Sequence, residues 1–191
     1  MAVELPDAAV RTLDLVGRQL RELDAGWKSE KWAAPDVMHV TLRFLGEIDV
    51  AQAARIETDF AQAASCVPAF ELDLAGLRAV PSSKRASMIW TRIDDPTGQC
   101  AHLAQEAERI AIECGLDPEP RCFVPHVTLV RARRPHAVRA GVLEAAELKA
   151  GMCDVGSMSV LSASLFASTL TPRGPIHERL RKFELQAGTG R

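Results

Sequence analysis

The spacing of apolar residues changes period along the chain, and each change predicts an element. Val10, Leu13, Val16, Leu20 and Leu23 recur three or four positions apart after Leu5-Pro6-Asp7. That period predicts an amphipathic helix capped by Asp7 and stopped by Gly26. The period falls to two in Met38-His39-Val40-Thr41-Leu42-Arg43-Phe44. Successive side chains of a strand point to opposite faces. A strand over 38–44 therefore sends Val40, Leu42 and Phe44 to the core and leaves His39, Thr41 and Arg43 on the other face. A second helix is predicted near 50–64, begun by Asp49, with Ile56 and Phe60 inward. Strands over 69–74 and 87–93 follow, joined by the loop Val80–Ala86. A third helix spans about 97–114 and ends at Gly115, and Asp117-Pro118-Glu119-Pro120 is a connector. Beyond it the pattern predicts a strand over about 122–131 and a helix over about 135–148. Two strands, 156–167 and 176–186, joined across Thr171-Pro172-Arg173-Gly174-Pro175, close the chain, and Gly188–Arg191 is expected to fray.

A strict alternation of strand and helix would imply a parallel sheet. The closing hairpin and the direct strand–loop–strand link in the middle point instead to antiparallel pairing and an α+β class. No long linker divides the chain, so 1–191 is expected to be one unit with two lobes.

The segment Val124-Pro125-His126-Val127-Thr128-Leu129-Val130 repeats the arrangement of the first strand, 87 residues downstream. An internal duplication is therefore expected. Duplication alone preserves an apolar face, because packing requires it, but gives no reason to preserve a polar one. Both copies nonetheless present His-x-Thr on the outward face. Such a pair supplies only one good metal ligand per strand, which argues against a zinc site. There is no G-x-S-x-G, and no cysteine flanks either histidine, which argues against a covalent nucleophile. Phosphoryl transfer fits better. It needs one group to take a proton from the attacking oxygen and another to give one to the leaving oxygen, on opposite sides of phosphorus. Histidine does either near neutral pH. Thr41 and Thr128, two residues along, can donate to the non-bridging oxygens where charge builds.

Composition narrows the setting. Apolar residues make up 47% and charged residues 25%, ordinary for a globular chain, and no apolar run is long enough to span a membrane. Glu4, Asp7, Arg11 and Asp14 rule out a secretory signal at the start. Five cysteines, odd in number and never in C-x-x-C, suggest free thiols and a cytoplasmic location. The net charge is −2, so no overall basic footprint exists for duplex DNA. Lys84-Arg85, and Arg131–Arg134 with Arg139, are local basic clusters, read as solvated surface or as a site for a small anion or the end of a nucleic acid. Trp27, Trp32 and Trp90 could stack on a base, but a structural role is the expectation.

With both motifs in hand, the chain resembles the 2H phosphoesterase superfamily, and within it the bacterial RNA 2′,3′-cyclic phosphodiesterases often called 2′-5′ RNA ligases. KWAAPDVMHVTLRFLGEID (31–49), AVPSSKRASMIW (79–90), FVPHVTLVR (123–131) and SASLFASTLTPRGPIHERLRKFEL (162–185) carry the resemblance. It implies a bilobal α+β fold: two antiparallel sheets with outer helices around a central cleft, related by a pseudo-twofold axis. It implies metal-free hydrolysis of a terminal 2′,3′-cyclic phosphate to a 2′-phosphate, with no cofactor. His39 would be the proton donor and His126 the acceptor. Ligation would be the same chemistry reversed, a 5′-hydroxyl replacing water. Arg43 and Arg131 stand where the family carries positive charge near the phosphate. Period-two alternation supports Arg43, whereas it puts Arg131 on the wrong face unless the strand ends or bulges. The expected partners are RNA 3′ ends or nucleotides bearing the cyclic phosphate, handled by a monomer away from membranes. The rivals are a phosphodiesterase for a small nucleotide of the ADP-ribose cyclic phosphate type and a non-catalytic RNA-end binder. Two departures stand out: the first strand is short, with Met1 almost against Ala2–Pro6, and His177 replaces a usual tyrosine.

Overall fold

A computed structural model describes residues 1–171 and 174–187. Among these described residues four α-helices, α1 (Asp7–Leu23), α2 (Val50–Ser65), α3 (Gln99–Glu113) and α4 (Val142–Lys149), accompany nine strands. These are β1 (Ala2–Glu4), β2 (Lys31–Trp32), β3 (His39–Thr41), β4 (Phe70–Val80), β5 (Ala86–Asp94), β6 (His126–His136), β7 (Met158–Val160), β8 (Ser162–Thr171) and β9 (Gly174–Glu184). They form two sheets, ordered β3-β1-β8-β9 and β2-β6-β5-β4-β7, with every strand pair antiparallel. The α+β class and the two antiparallel sheets expected from the sequence are what the chain adopts. The short first strand exists as β1, at the centre of its sheet.

Helical periodicity explains which helix covers which sheet. Leu13, Val16, Gly17 and Leu20 of α1 are buried, and α1 and α4 pack on β6 and β4 of the second sheet. Ile56, Phe60 and Ala64 of α2 face β8 and β9 of the first sheet, with α3 packed beside α2. Gly17 is required by close approach: a Cβ there would stand 3.3 Å from the Trp32 ring. Trp27 is fully buried, and Trp32 donates its indole N–H to the Trp27 carbonyl at 2.9 Å, so both are structural as expected. Among the described residues no helix is long and apolar enough to cross a membrane. All five cysteines are free thiols.

Several boundaries differ from those predicted, each for a tertiary reason. Asp7 is the first helical residue and Pro6 the cap, so Asp7 contributes charge at the helix start and no cap. Asp49 does cap α2, in a reciprocal capping box with Gln52. The strand predicted over 69–74 continues to Val80, because a bulge at Ala75-Gly76, with Gly76 at φ +90°, restores pairing with β5. The strand predicted over 122–131 starts later and runs to His136, where it still pairs with Ala86. That pairing takes the first turns of the helix predicted over 135–148. The strand predicted over 156–167 breaks at Leu161: β7 joins β4 in one sheet, and β8 joins β1 and β9 in the other. Pro172 and Arg173 of the last turn, the Gly188–Arg191 tail and the His177 side chain lie outside the described residues.

Candidate active site

His39 lies on β3, the edge of the first sheet, and His126 at the start of β6 in the second. Val40, Leu42, Val127 and Leu129 are buried, as alternation requires, so each histidine and its threonine occupy the opposite face. β3 and β6 approach within 8 Å, Cα to Cα, across the two sheets. The two strands that carry the motifs therefore come together where the sheets adjoin. His39 and His126 are half-buried, Thr128 is half-buried and Thr41 is exposed. Two surface pockets, about 470 Å³ between α2 and α3 and about 450 Å³ beside Arg43, include neither histidine.

The His126 ring is held from two sides. Its Nδ1 lies 2.7 Å from the Val124 carbonyl oxygen. A carbonyl can only accept, so Nδ1 carries the hydrogen and Nε2 keeps its lone pair. The Trp90 indole covers the ring, centroids 3.9 Å apart and planes 44° apart. Burial holds the imidazole below its ordinary pKa of 6.5; the Val124 contact opposes this, and Arg131 and Arg121 add to it. Trp90 thus contacts the candidate site, contrary to the purely structural role expected. Its even spacing with Met88 and Arg92 on β5 was the available signal for an outward face.

His39 has different surroundings. Its ring stacks on Phe166 at 5.8 Å, and its cross-strand neighbour is Glu4. Burial works to raise the Glu4 carboxyl, but hydrogen bonds from Ser164 and Arg179 outweigh it and hold the group below its ordinary value. His126 has Arg92 as its cross-strand neighbour. The two histidines therefore stand beside residues of opposite charge.

The arginines exchange places relative to simple alternation. Leu42 and Arg43 both donate their N–H to the Met1 carbonyl, so β3 ends in a bulge-like step and both residues turn inward. Arg43 is 9% exposed, ion-paired with Glu108, and bonded to the carbonyls of Phe44 and Asp117. It is not on the His39 face, and its assignment to the substrate is withdrawn. Phe44, expected in the core, is 70% exposed for the same reason. β6 bulges at the matching place: Trp90 pairs with Thr128 and Ile89 with Val130, leaving Leu129 extra. Leu129 and Val130 are both buried, and Arg131 returns to the histidine face. Its Nη1 lies 3.5 Å from Met88 Sδ on that face, and its charge reaches His126. In the duplication, then, Arg43 corresponds to Val130, and Phe44 to Arg131. Among the described residues no three His, Cys, Asp or Glu side chains gather as a metal site would need.

Known proteins resemble this chain in sequence and in fold. The family described as LigT like Phosphoesterase matches residues 3–90 and again 93–177, one match for each motif. An RNA 2′,3′-cyclic phosphodiesterase of Aeropyrum pernix is 35% identical over 79% of this chain and 82% of its own. One from Methanothermobacter thermautotrophicus is 28% identical over 97% of both. Among solved structures, TT0787 of Thermus thermophilus superposes with a TM-score of 0.78 at 22% identity, covering 98% of this chain and 97% of that one. Escherichia coli LigT complexed with 3′-AMP superposes with a TM-score of 0.70 at 21% identity, covering 96% and 95%.

Proposed function

The chain belongs to the LigT-like phosphoesterase family, and on that footing we propose that it hydrolyses 2′,3′-cyclic phosphate ends of RNA or nucleotides to a 2′-phosphate. The state of His126 carries the reading. With Nδ1–H tied to Val124 and burial favouring the neutral ring, its Nε2 is suited to take the proton of an attacking water. His39, beside the Glu4 carboxylate, is suited to give a proton to the opposite side. Two groups of like type, in different surroundings, divide into acid and base.

The water oxygen forms the new bond to phosphorus, and its proton goes to His126. The bond from phosphorus to the 3′-oxygen breaks, and that oxygen takes a proton from His39. The phosphate stays on the 2′-oxygen. Thr41 and Thr128 donate to the non-bridging oxygens, and Arg131 balances their charge. The same displacement with a 5′-hydroxyl in place of water would give 2′-5′ ligation. We read the protein further as a cytoplasmic monomer acting without metal or cofactor; its free thiols suit a reducing compartment.

The test is to incubate the protein with a short RNA ending in a 2′,3′-cyclic phosphate and identify the product isomer. A 2′-phosphate, lost in His39→Asn and in His126→Asn, is expected. A 3′-phosphate would reverse the leaving group, and no turnover in the wild type would leave only an RNA-end binder.

A further inference from the structure

The outward face of the second sheet carries more than His126 and Thr128. Strand register puts Arg78, Trp90 and Thr128 in one row across β4, β5 and β6, and Val80, Met88, Arg131 and Lys31 in the next, across β4, β5, β6 and β2. Directly paired residues share a face, and the contacts of Trp90 with His126 and of Arg131 with Met88 fix which face it is. The buried members of β5, Ile89, Thr91 and Ile93, lie on the other side, toward the core.

Arg78, Lys31 and Arg131 are exposed on this face, and none has a carboxylate partner among the described residues. Elsewhere half of the described arginines are paired: Arg18, Arg43, Arg55, Arg92, Arg109, Arg121 and Arg179 each meet an aspartate or glutamate. A chain of net charge −2 has carboxylates enough to neutralise three more cations. Leaving them bare around one aromatic side chain gives the face a charge complementary to a polyanion. Arg78 lies two strand spacings, roughly 10 Å, from Thr128, with Trp90 between them.

We infer that this face binds the RNA strand leading to the cyclic end, with Arg78 and Lys31 holding its backbone phosphates on either side of Trp90. The inference rests on the function proposed above. A 2′,3′-cyclic phosphate closes the 3′ side of a strand, so every further phosphate lies 5′ of it. A mononucleotide would have none to offer Arg78 or Lys31. The preferred substrate is therefore an oligonucleotide.

The test is fluorescence anisotropy with a 5′-labelled hexaribonucleotide ending in a 2′-phosphate, competed by 2′-AMP, at several NaCl concentrations. Each lost contact to a single strand should lower the slope of log affinity on log salt by about 0.7, which is roughly fivefold in Kd at 0.1 M against a 1 M reference. Arg78→Gln and Lys31→Gln should each show this loss and erode the preference of hexamer over mononucleotide by the same factor. Lys149→Gln, the same charge change on α4, should shift Kd less than twofold. The inference is overturned if Arg78→Gln and Lys31→Gln behave like Lys149→Gln, or if the wild type binds 2′-AMP as tightly as the hexamer. Cleavage of the cyclic hexamer, followed in parallel, separates the two readings. Turnover with binding indifferent to both cations defeats this inference alone; salt-dependent binding without turnover defeats the proposed activity alone.

Discussion

Arg43 and Arg131 look alike in the sequence, each following a His-x-Thr, and the structure assigns them opposite duties that one pair of substitutions separates. Replacing Arg43 with Met removes a guanidinium that is 9% exposed, its ion pair to Glu108, and its bonds to the carbonyls of Phe44 (2.7 Å) and Asp117 (2.5 Å). Breaking a buried ion pair from one side costs about 3–5 kcal/mol, because the remaining charge is stranded. The Glu108 side chain is 27% exposed and keeps some hydration, so the low end, about 3 kcal/mol, applies. In a chain of this length each kcal/mol moves Tm by roughly 2–4 °C, and Arg43→Met should melt roughly 6–12 °C lower. Adding Glu108→Leu removes the stranded charge and should recover much of the loss. Turnover per folded molecule should stay within about threefold, the ordinary scatter for a group that touches no reacting atom. Arg131→Met should do the reverse. Tm should hardly move, since Arg131 is exposed and its side chain meets only a sulfur at hydrogen-bond distance among the described residues. Loss of a hydrogen bond to a charged group, about 1.5–3 kcal/mol, should raise KM for the cyclic phosphate by at least tenfold. Calorimetry and steady-state kinetics on both variants decide the matter. An Arg43→Met protein that melts normally yet loses substrate affinity would refute the bulge argument and return Arg43 to the phosphate.

Protonation of His126 removes the base, and its pKa lies below 6.5; kcat/KM should therefore hold as pH falls through 6.5 and decline only below it. Trp90→Ala, by wetting the imidazole, should move that acid limb up toward 6.5, while Trp90→Phe should leave it low; a wild-type limb at or above 6.5 would contradict the burial argument. Thr41→Ala and Thr128→Ala should each lower kcat by about 10²–10³, as loss of an oxyanion donor does, with Thr→Ser mild; normal turnover in the alanine variants would make both hydroxyls structural. Hydrolysis should persist in EDTA, since imidazole activates the water in this scheme, and activity lost to chelation but restored by a divalent ion would overturn it.

Much of the architecture was legible because burial imposes its period on the chain. The helices α1, α2 and α3 repeat apolar residues at helical spacing, and their predicted spans fall within a few residues of those observed. The two His-x-Thr faces were legible for a related reason: Val40 and Leu42, like Val127 and Leu129, must point inward, which fixes where His39, Thr41, His126 and Thr128 point. Elements whose limits depend on a partner strand were not legible. β6 runs on to His136 because Ala86 is there to pair with it, and 156–167 divides because its halves bond to different sheets.

The sequence by itself determined the chemistry on offer, two histidines each with a threonine on its own face, because alternation is a local property of an extended backbone. Tertiary structure alone decided what happens one residue past each motif. A bulge adds one residue to one strand of a pair, and which carbonyl receives two N–H groups depends on a neighbour distant in the chain, Met1 for β3 and β5 for β6. That single extra residue inverts the alternation, drawing Arg43 into the core and returning Arg131 to the face of His126. Packing likewise brought Trp90 over His126 and aligned Arg78 and Lys31 on either side of it, since residues far apart along the chain share a sheet face only once their strands are in register.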